Sequence, residues 1–353
     1  MNRDNVIQIK SFSDVDLSDP FFDSLKDAYR EFSDWFARKS DNRAYVVYGV
    51  GGSLLGFLYV KSEMGPVQDI TPPLNAARVL KVGTFKIDAH GTKLGERFVK
   101  KIFDHALEEK VTHLYVTVFP EHEALISLLV NYGFRRYGTK TTGNGTEHVF
   151  VKDFVAMTGH TEKDYPIIDA SKSKWLLGIK PIYHTKLFPD SILRTEDSSI
   201  VNDVSHTNSI HKIYIGKAYD MPAIRPGDVL VIYCTKQENK PGWYSSVATS
   251  LCVVEDTWGR AHFSSEQEFL QYTQRHSVYS EQELSDWYRR GGSNMRAIRM
   301  TYNVALPKRP NRQALIQQAG LDADAYWGLH RLTDQQFASI LALGKVYEGV
   351  VIH

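Results

Sequence analysis

The sequence predicts an α/β protein with two domains: an N-terminal mixed sheet with flanking helices, then a C-terminal β-barrel with added helices. Three observations predict it. The 353 residues exceed one typical domain. Helix-type and strand-type runs alternate in the first half, as in α/β folds. The second half consists mainly of short strand-like runs between loops. We place the domains at 1–155 and 173–353, joined by a polar linker at 156–172.

The first half has the predicted order helix, hairpin, strand, helix, strand, helix, strand. Apolar residues at helical spacing predict the first helix, over 20–37. Two β-rich runs joined by glycines predict the hairpin. The helix after the third strand has an apolar face of Leu94, Phe98, Ile102, Phe103 and Ala106. Its charged residues are predicted to lie mostly toward solvent: Lys100, Lys101, Asp104 and Glu108. The remaining segments are "RVLKVGTFKID", a helix from about Thr92 to Glu109, "HLYVTVF", "EHEALISLLVNY" and "EHVFVKDF".

The second half begins with four strand-like or turn-like runs, "WLLGIKPIYHTKLF", "HKIYIGKAY", "GDVLVIYCT" and "SSVATSLCVVED". Two capping boxes, Ser265-x-x-Glu268 and Ser280-x-x-Glu283, then predict helix starts. "MRAIRMTYNVAL" is a predicted strand, and two final segments that end in glycine are predicted helices.

Composition, charge and cysteine spacing bear on the partners and the compartment of the protein. Acidic and basic residues nearly cancel, with a formal net charge of +1, so global charge does not indicate a nucleic-acid or membrane partner. Cys234 and Cys252 lie in apolar runs without CxxC spacing, which favours buried thiols in a reducing compartment and no metal site. The N-terminus lacks the apolar core of a signal peptide, and no apolar run approaches the length of a membrane span. We expect a cytoplasmic protein without a membrane partner.

The segment "DAHGTKLGER", residues 88–97, lies between a predicted strand and a predicted helix. Backbone N–H groups at a helix start are unpaired, and the helix dipole favours negative charge there, so such a turn suits a phosphate. Gly91 and Gly95 allow close approach, while Lys93 can itself pair with phosphate. A strand-to-helix turn without any ligand is the alternative.

Residues 5–154 resemble the GNAT acetyltransferase superfamily. The resemblance rests on the order of elements, on the turn His90-Gly91-Thr92-Lys93-Leu94-Gly95, and on Gly133-Phe134 after the last helix. The family pattern for the turn is (Arg/Gln)-x-x-Gly-x-(Gly/Ala), so Lys93 stands where the family usually has glycine. The resemblance implies acetyl-CoA as cofactor, and a strand at His113 that splays from its neighbour to admit the thioester arm. The implied cofactor contacts are Phe85, Lys86, Ile87, His90, Gly91, Thr92, Lys93, Leu94, Gly95, Glu96 and His122.

The resemblance also implies catalytic positions. Where the family has an asparagine and a proton-donating tyrosine, this chain has His122 and Leu129. Tyr132 lies about 60° off the face of Leu129 and could replace the tyrosine only if the helix shifts. A thiol pKa of about 8.5 lets the thiolate leave without an acid. Glu63 and His122 are candidate general bases, against the alternatives of a solvated charge and a helix cap.

Residues 173–305 resemble the PUA-like superfamily that includes ASCH and EVE domains. "GIKPIYHTKLFPDSILR", "IRPGDVLVIYCT" and "SSVATSLCVVED" carry this resemblance. It implies a cleft for RNA or a modified base; of the ASCH pattern Gly-x-Lys-x-x-Glu-x-Arg only Arg194 is kept, so hydrolysis is not expected. Aromatic residues that stack on bases and cations that bind phosphate predict the contacts. These are Lys180, Tyr183, Lys186, Arg194, Trp243, Tyr244, Arg289 and Arg290. The alternative is that the aromatic residues are core and the arginines lie in a solvated loop.

Together the two resemblances imply an acetyl-CoA-dependent N-acetyltransferase. An amine would attack the thioester directly in a ternary complex, and the C-terminal domain would direct the enzyme to an RNA-linked acceptor. A toxin role, as in toxin–antitoxin systems, follows by analogy only. The alternative is a coenzyme A-binding, catalytically weak scaffold whose PUA-like domain binds RNA or modified nucleotides. Acetylation of an ordinary protein or small amine is a third reading, and a homodimer stays open.

Overall fold

The structure is a computed structural model, and it describes residues 6–88, 93–188, 209–236 and 241–352. The chain divides into two compact units. The first contains the described residues up to Ala156, and the second those from Met157 onward. The segment 156–172, predicted as a linker, contains helix α5 (Thr161–Asp164) and strand β8 (Ile168–Asp169), which belong to the second unit.

A seven-stranded mixed sheet forms the first unit, with strand order β1-β2-β3-β4-β5-β7-β6. Only β4 and β5 are parallel, and all other neighbours are antiparallel. The elements are β1 (Ile7–Ser11), α1 (Asp23–Ala28), α2 (Phe32–Ala37), β2 (Arg43–Tyr48), β3 (Leu54–Met64), β4 (Arg78–Ile87), α3 (Leu94–Glu108), β5 (His113–Val118), α4 (Glu123–Asn131), β6 (Arg135–Thr142) and β7 (Gly145–Asp153).

The single helix predicted over 20–37 is wrong in one respect: it is two helices, α1 and α2. Tyr29 ends α1 with an extended backbone, at φ −129° and ψ 102°. Its hydroxyl donates to Glu147 on β7, 2.7 Å away. A tertiary contact of this residue therefore accompanies the break, which apolar spacing alone could not indicate.

Helix α3 has the predicted apolar face. Its five predicted core residues are all buried: Leu94, Phe98, Ile102, Phe103 and Ala106. The prediction that Lys100 faces solvent is wrong, because Lys100 is buried and donates to both carboxylate oxygens of Asp104 at 3.1 and 2.8 Å. The long methylene stem of lysine covers apolar surface while the ammonium reaches a partner one turn on.

The second unit contains a six-stranded sheet of order β10-β13-β12-β11-β9-β14. The predicted barrel is not what the described residues form: no strand pairing among them joins β10 to β14. The elements are β9 (Lys174–Ile179), α6 (Pro181–Leu187), β10 (His211–Gly216), β11 (Val229–Cys234), α7 (Gly242–Ser245), β12 (Val247–Gly259), α8 (Glu266–Gln274), α9 (Glu281–Arg290), β13 (Arg296–Ala305), α10 (Arg312–Gln317), β14 (Leu329–Leu332), α11 (Asp334–Gly344) and β15 (Val351–Ile352), which pairs with β8.

Both predicted capping boxes mark real helix starts. The hydroxyl of Ser280 accepts from the N–H of Glu283, whose carboxylate accepts from the N–H of Ser280. Ser265 caps Glu268 in the same way, but the Glu268 carboxylate accepts from the N–H of Ser264 instead. Within the described part of the chain, no helix combines the length and apolarity needed to cross a membrane.

Candidate functional site

The parallel strands β4 and β5 pair over only four residues and then separate. Pairing runs from Val79 opposite His113 to Val82 opposite Val116. Beyond this point β4 continues beside β3 as far as Ile87, while β5 continues beside β7. The resemblance to the acetyltransferases implied a splayed strand here, and the register shows one.

The β3–β4 pairing is irregular at the point where β4 separates from β5. The register shifts between Tyr59 and Val60, whose partners are Thr84 and Val82, so Gly83 has no direct partner. A Cβ on Gly83 would lie 2.8 Å from the Tyr59 ring. A bulge of this kind bends the strand and redirects neighbouring side chains. Glycine is needed at this position because the aromatic ring occupies the space of a side chain.

A cavity of about 380 Å³ lies at the gap between β4 and β5. Three consecutive β5 residues, Val116, Thr117 and Val118, line it, although successive side chains of a strand point to opposite faces. The cavity therefore has walls from both faces of the sheet. Its lining includes Leu25, Tyr29, Glu31, Trp35, Tyr59, Lys61, Glu63, Lys81, Gly83, Thr84, Phe85, Phe119, His122, Leu125, Lys140, Asn144 and Glu147.

Glu147 is a buried carboxylate in this cavity, with only 4% of its surface exposed. Its Oε1 accepts from the hydroxyl of Tyr29 at 2.7 Å and from that of Thr117 at 3.0 Å. Among the described residues it has no cationic partner and no hydrogen bond to Oε2. Burial, followed by the hydrogen bond to Glu147, raises the pKa of Tyr29, so the phenol stays a proton donor.

Sequence reasoning missed Glu147, although a signal was present. In the strand "GTEHVFVKD" Glu147 shares one face with Val149 and Val151, both of which are buried. A charged residue on the apolar face of a strand is costly to bury unless it is paired or hydrogen-bonded, so this pattern indicates a polar site.

Glu63, a base predicted from the sequence, lines the same cavity but already has partners. Its carboxylate accepts from Tyr115 at 2.8 Å and from Lys61 at 3.2 Å. Burial would raise the pKa of Glu63, but the Tyr115 hydrogen bond and the charges of Lys81 and Lys61 outweigh it and hold that pKa below its usual range.

Lys81 lies beside this pair and is partly buried. Its ammonium is 5.5 Å from the centroid of the Tyr115 ring and has no ion pair within the described residues. Burial lowers the pKa of Lys81, and the nearby charge of Lys140 lowers it further. Lys140 itself binds Asp69 at 2.6 Å.

On the helix side, His122 and Leu125 line the cavity. His122 precedes α4, is exposed, and makes no side-chain cap. Leu129 is fully buried. Tyr132, the predicted substitute acid, is 4% exposed, packs its ring 6.5 Å from that of Phe103, and is not part of the cavity lining.

Of the predicted phosphate turn, His90, Gly91 and Thr92 lie outside the described residues. Lys93 immediately precedes α3, and Leu94 is buried. A Cβ on Gly95 would lie 2.9 Å from Cδ2 of Leu128, so glycine here also serves the packing of α3 on α4. The packing of α3 on α4 therefore accounts for glycine at position 95.

The other predicted cofactor contacts surround the end of β4 and the start of α3. Phe85 lines the cavity and packs its ring edge-on against Phe98. The ammonium of Lys86 contacts Ser24 and lies over the Phe21 ring. Ile87 ends β4, and in Glu96 the buried Oε2 has no hydrogen-bond partner among the described residues.

The residues predicted to bind nucleic acid differ in their exposure and in their partners. Lys180 and Lys186 are exposed at the two ends of α6, and Tyr244 is 63% exposed. Arg289, by contrast, binds both oxygens of Glu266 at 2.9 Å. Trp243 is partly buried, and Arg194 lies outside the described residues.

Tyr183 and Arg290 line a second cavity, of about 250 Å³, within the second unit. Lys217, Trp287, Glu283 and Asp286 also line it, and the Tyr183 hydroxyl donates to Glu283 at 2.9 Å. The cavity thus combines two aromatic rings with two basic and two acidic residues.

One cluster in the second unit has metal-ligand residue types: Glu162, His211 and Glu255, with ligand atoms within 4.8 Å of one another. Arg299 contacts Glu162 at 2.9 Å and Glu255 at 2.7 Å, and His211 contacts Glu255. Because the Arg299 guanidinium contacts both carboxylates, an ion-pair network accounts for the cluster.

No protein-family model matches the chain, and no curated protein matches it closely. Solved structures similar to its N-terminal part include the NatC complex bound to Gag peptide and CoA, at 14% identity and a TM-score of 0.30. Others are a GNAT-family acetyltransferase from Bacillus anthracis (15%, 0.32) and Arabidopsis thaliana NAA60 with a bisubstrate analogue (14%, 0.31). Each match covers 42% of this chain. It covers 98% of the matched chain for NatC and for NAA60, and 96% for the Bacillus anthracis protein. At this identity and TM-score the likeness carries no functional argument, and function is inferred from the chain's own residues.

Proposed function

We propose that the first unit is an acetyl-CoA-dependent N-acetyltransferase. The observation that carries the proposal is the cavity at the gap between β4 and β5. Its lining includes Phe85 on β4, the strand that precedes the helix start at Lys93 in the sequence. A long, thin cofactor arm fits between separated strands. Among the described residues, the backbone groups of β4 beyond Val82 have no strand partner on the β5 side. The phosphate turn predicted at residues 90–95 would hold the other end of such a cofactor.

In this proposal the two reactants enter the gap from opposite faces of the sheet. Acetyl-CoA enters on the side of α4, past His122 and Leu125, and the amine enters on the side of Glu147, Glu63 and Tyr29. Such an arrangement brings two reactants together without a covalent enzyme intermediate, and its advantage is mainly one of orientation.

The proposed reaction is direct transfer. The ammonium of the acceptor gives one proton to the Glu147 carboxylate, which is the proposed general base, and the amine nitrogen forms a C–N bond to the thioester carbonyl carbon. Backbone N–H groups near Phe85 and Ile87 stabilise the oxyanion. The C–S bond breaks with its electron pair on sulfur, and the thiolate takes the second proton from nitrogen. The products are the amide, coenzyme A and one proton released from the carboxylate.

The predicted catalytic residues take different parts in this proposal. His122 contacts the cofactor arm on the α4 side. Glu63 orders the acceptor side through Tyr115 and Lys61 and is a weak base because its pKa is lowered. We assign no proton donation to Tyr132, since it is buried against Phe103. A thiolate leaves without an acid near neutral pH, since thiol pKa values are about 8.5.

Binding of acetyl-CoA to the full chain, measured by calorimetry, tests the proposal. Lys93→Glu should weaken binding about tenfold, because one charge-assisted phosphate contact becomes a repulsion. Lys101→Glu on the same helix is the control and should change the affinity less than twofold. Equal affinity of all three proteins, or no binding by the unaltered chain, would contradict the proposal.

We further propose that the second unit directs the enzyme to an RNA-linked acceptor. Exposed Lys180 and Lys186 at the ends of α6 support it, together with the aromatic rings of Tyr183 and Trp287 in the second cavity. These are the residue types that bind phosphate and stack on bases.

Filter binding of single-stranded RNA and of tRNA tests this second proposal. The double variant Lys180→Glu, Lys186→Glu should weaken RNA binding about tenfold and flatten its salt dependence. Acetyl-CoA binding should not change. If RNA affinity is equally weak for both proteins, the acceptor is not RNA-linked.

A further inference from the structure

We propose that the acceptor is an amine that also carries an anionic group several bonds away, with Glu147 binding the amine and Lys81 binding the anion. The inference rests on the proposed acetyl transfer and names its substrate class. It comes from two buried or partly buried charges of opposite sign in one cavity, neither of which has an ionic partner among the described residues.

Glu147 forms the end of the site that receives the amine. Both of its hydroxyl donors, Tyr29 and Thr117, bind the same oxygen, Oε1. The other oxygen is left for a ligand. A carboxylate that is 4% exposed and lacks a counter-ion favours a cation in the cavity, and a primary ammonium supplies both the charge and the N–H donors.

Lys81 forms the end that receives the anion. Two other lysines and two acidic residues lie near Lys81. Lys140 binds Asp69, and Lys61 binds Glu63. The charge of Lys81 is the one left over from these pairs. An ammonium held over the Tyr115 ring and facing the cavity has room for a carboxylate or a phosphate oxygen.

Strand register gives the spacing between the two ends. Lys81 is paired with Tyr115, and Glu147 bonds to Thr117, two residues further along β5. Two residues of a strand correspond to about 7 Å. The amine and the anion are therefore separated by several bonds, unlike those of an α-amino acid.

The test is a length series of amines assayed with acetyl-CoA: glycine, 4-aminobutanoate and 6-aminohexanoate, an aminoalkyl phosphate, and alkylamines of matched length. We expect the longer anionic amines to exceed the matched alkylamines about tenfold in kcat/KM, a typical value for one charge-assisted contact. The variant Lys81→Met should abolish this preference, because it should slow the anionic amines about tenfold more than the alkylamines. Comparing the carboxylate and phosphate arms identifies which anion the site takes.

Direct binding separates this inference from the proposed transfer. Calorimetry with 6-aminohexanoate and the aminoalkyl phosphate is done on the unaltered chain and on Lys81→Met, each with coenzyme A. Binding that depends on Lys81 supports the site even if no acetyl group is transferred, which would overturn only the enzyme proposal. If Lys81→Met slows anionic amines and alkylamines equally, or if neither anionic amine binds, the inference is overturned.

Discussion

Glu147→Gln should lower kcat/KM for acetyl transfer by about 100-fold or more, the usual contribution of a positioned general base. Glutamine has the same shape, and its carbonyl oxygen can still accept from Tyr29 and Thr117, the two donors seen in the structure. What it loses is the charge that binds an ammonium and the ability to take its proton. The affinity for acetyl-CoA should stay within twofold.

Glu63→Gln is the matched control, since Glu63 lies near the end of β3 and lines the same cavity. Its carboxylate is already bonded to Tyr115 and Lys61, so the loss should be about tenfold at most, as for a residue that orders its neighbours. The two variants are compared by steady-state kinetics over pH 6–9. If Glu63→Gln costs more than Glu147→Gln, the base has been assigned to the wrong strand.

A stability measurement keeps this comparison interpretable. Removing the charge of Glu147 also removes the cost of burying it, so Glu147→Gln should not lower the melting temperature. A variant that unfolds early would show instead that the carboxylate is structural.

The sequence predicted the local features of the first unit because they depend on near neighbours along the chain. The apolar face of α3 follows from residues three and four apart, and the two capping boxes follow from hydrogen bonds across three residues. The separation of β4 from β5 was implied by resemblance. The bulge at Gly83, packed under Tyr59, accompanies this separation; it depends on the pairing of two strands and could not be derived from composition.

Features that depend on distant residues were missed. Tyr29 has the spacing of a helical core residue, yet it ends α1 with its hydroxyl on Glu147, which is 118 positions away. Arg289 was predicted to contact a phosphate, but in the structure its guanidinium donates to both carboxylate oxygens of Glu266 on the adjacent helix. The closure of a barrel likewise depends on the pairing of its first and last strands, which no local pattern encodes.

Leu125→Trp should weaken acetyl-CoA binding by about 100-fold, because an indole placed in a slot of this size costs the 1–3 kcal/mol typical of overpacking. Leu125 lies on α4, lines the cavity and is partly buried, so the larger side chain can be accommodated without opening the core. The effect should be confined to the α4 side of the gap. Binding of 6-aminohexanoate on the Glu147 side should persist, which no general loss of structure would allow.

Ile126→Trp tests whether size alone causes the loss. Ile126 is the next residue of α4, is also partly buried, and does not line the cavity. Its replacement should change acetyl-CoA affinity less than twofold, with a similar change in melting temperature for both variants. Equal loss of affinity in the two variants would mean that α4 as a whole has been disturbed. Unchanged affinity in Leu125→Trp would mean that the cofactor does not pass between β4 and β5, and the division of reactants between the two faces of the sheet would be wrong.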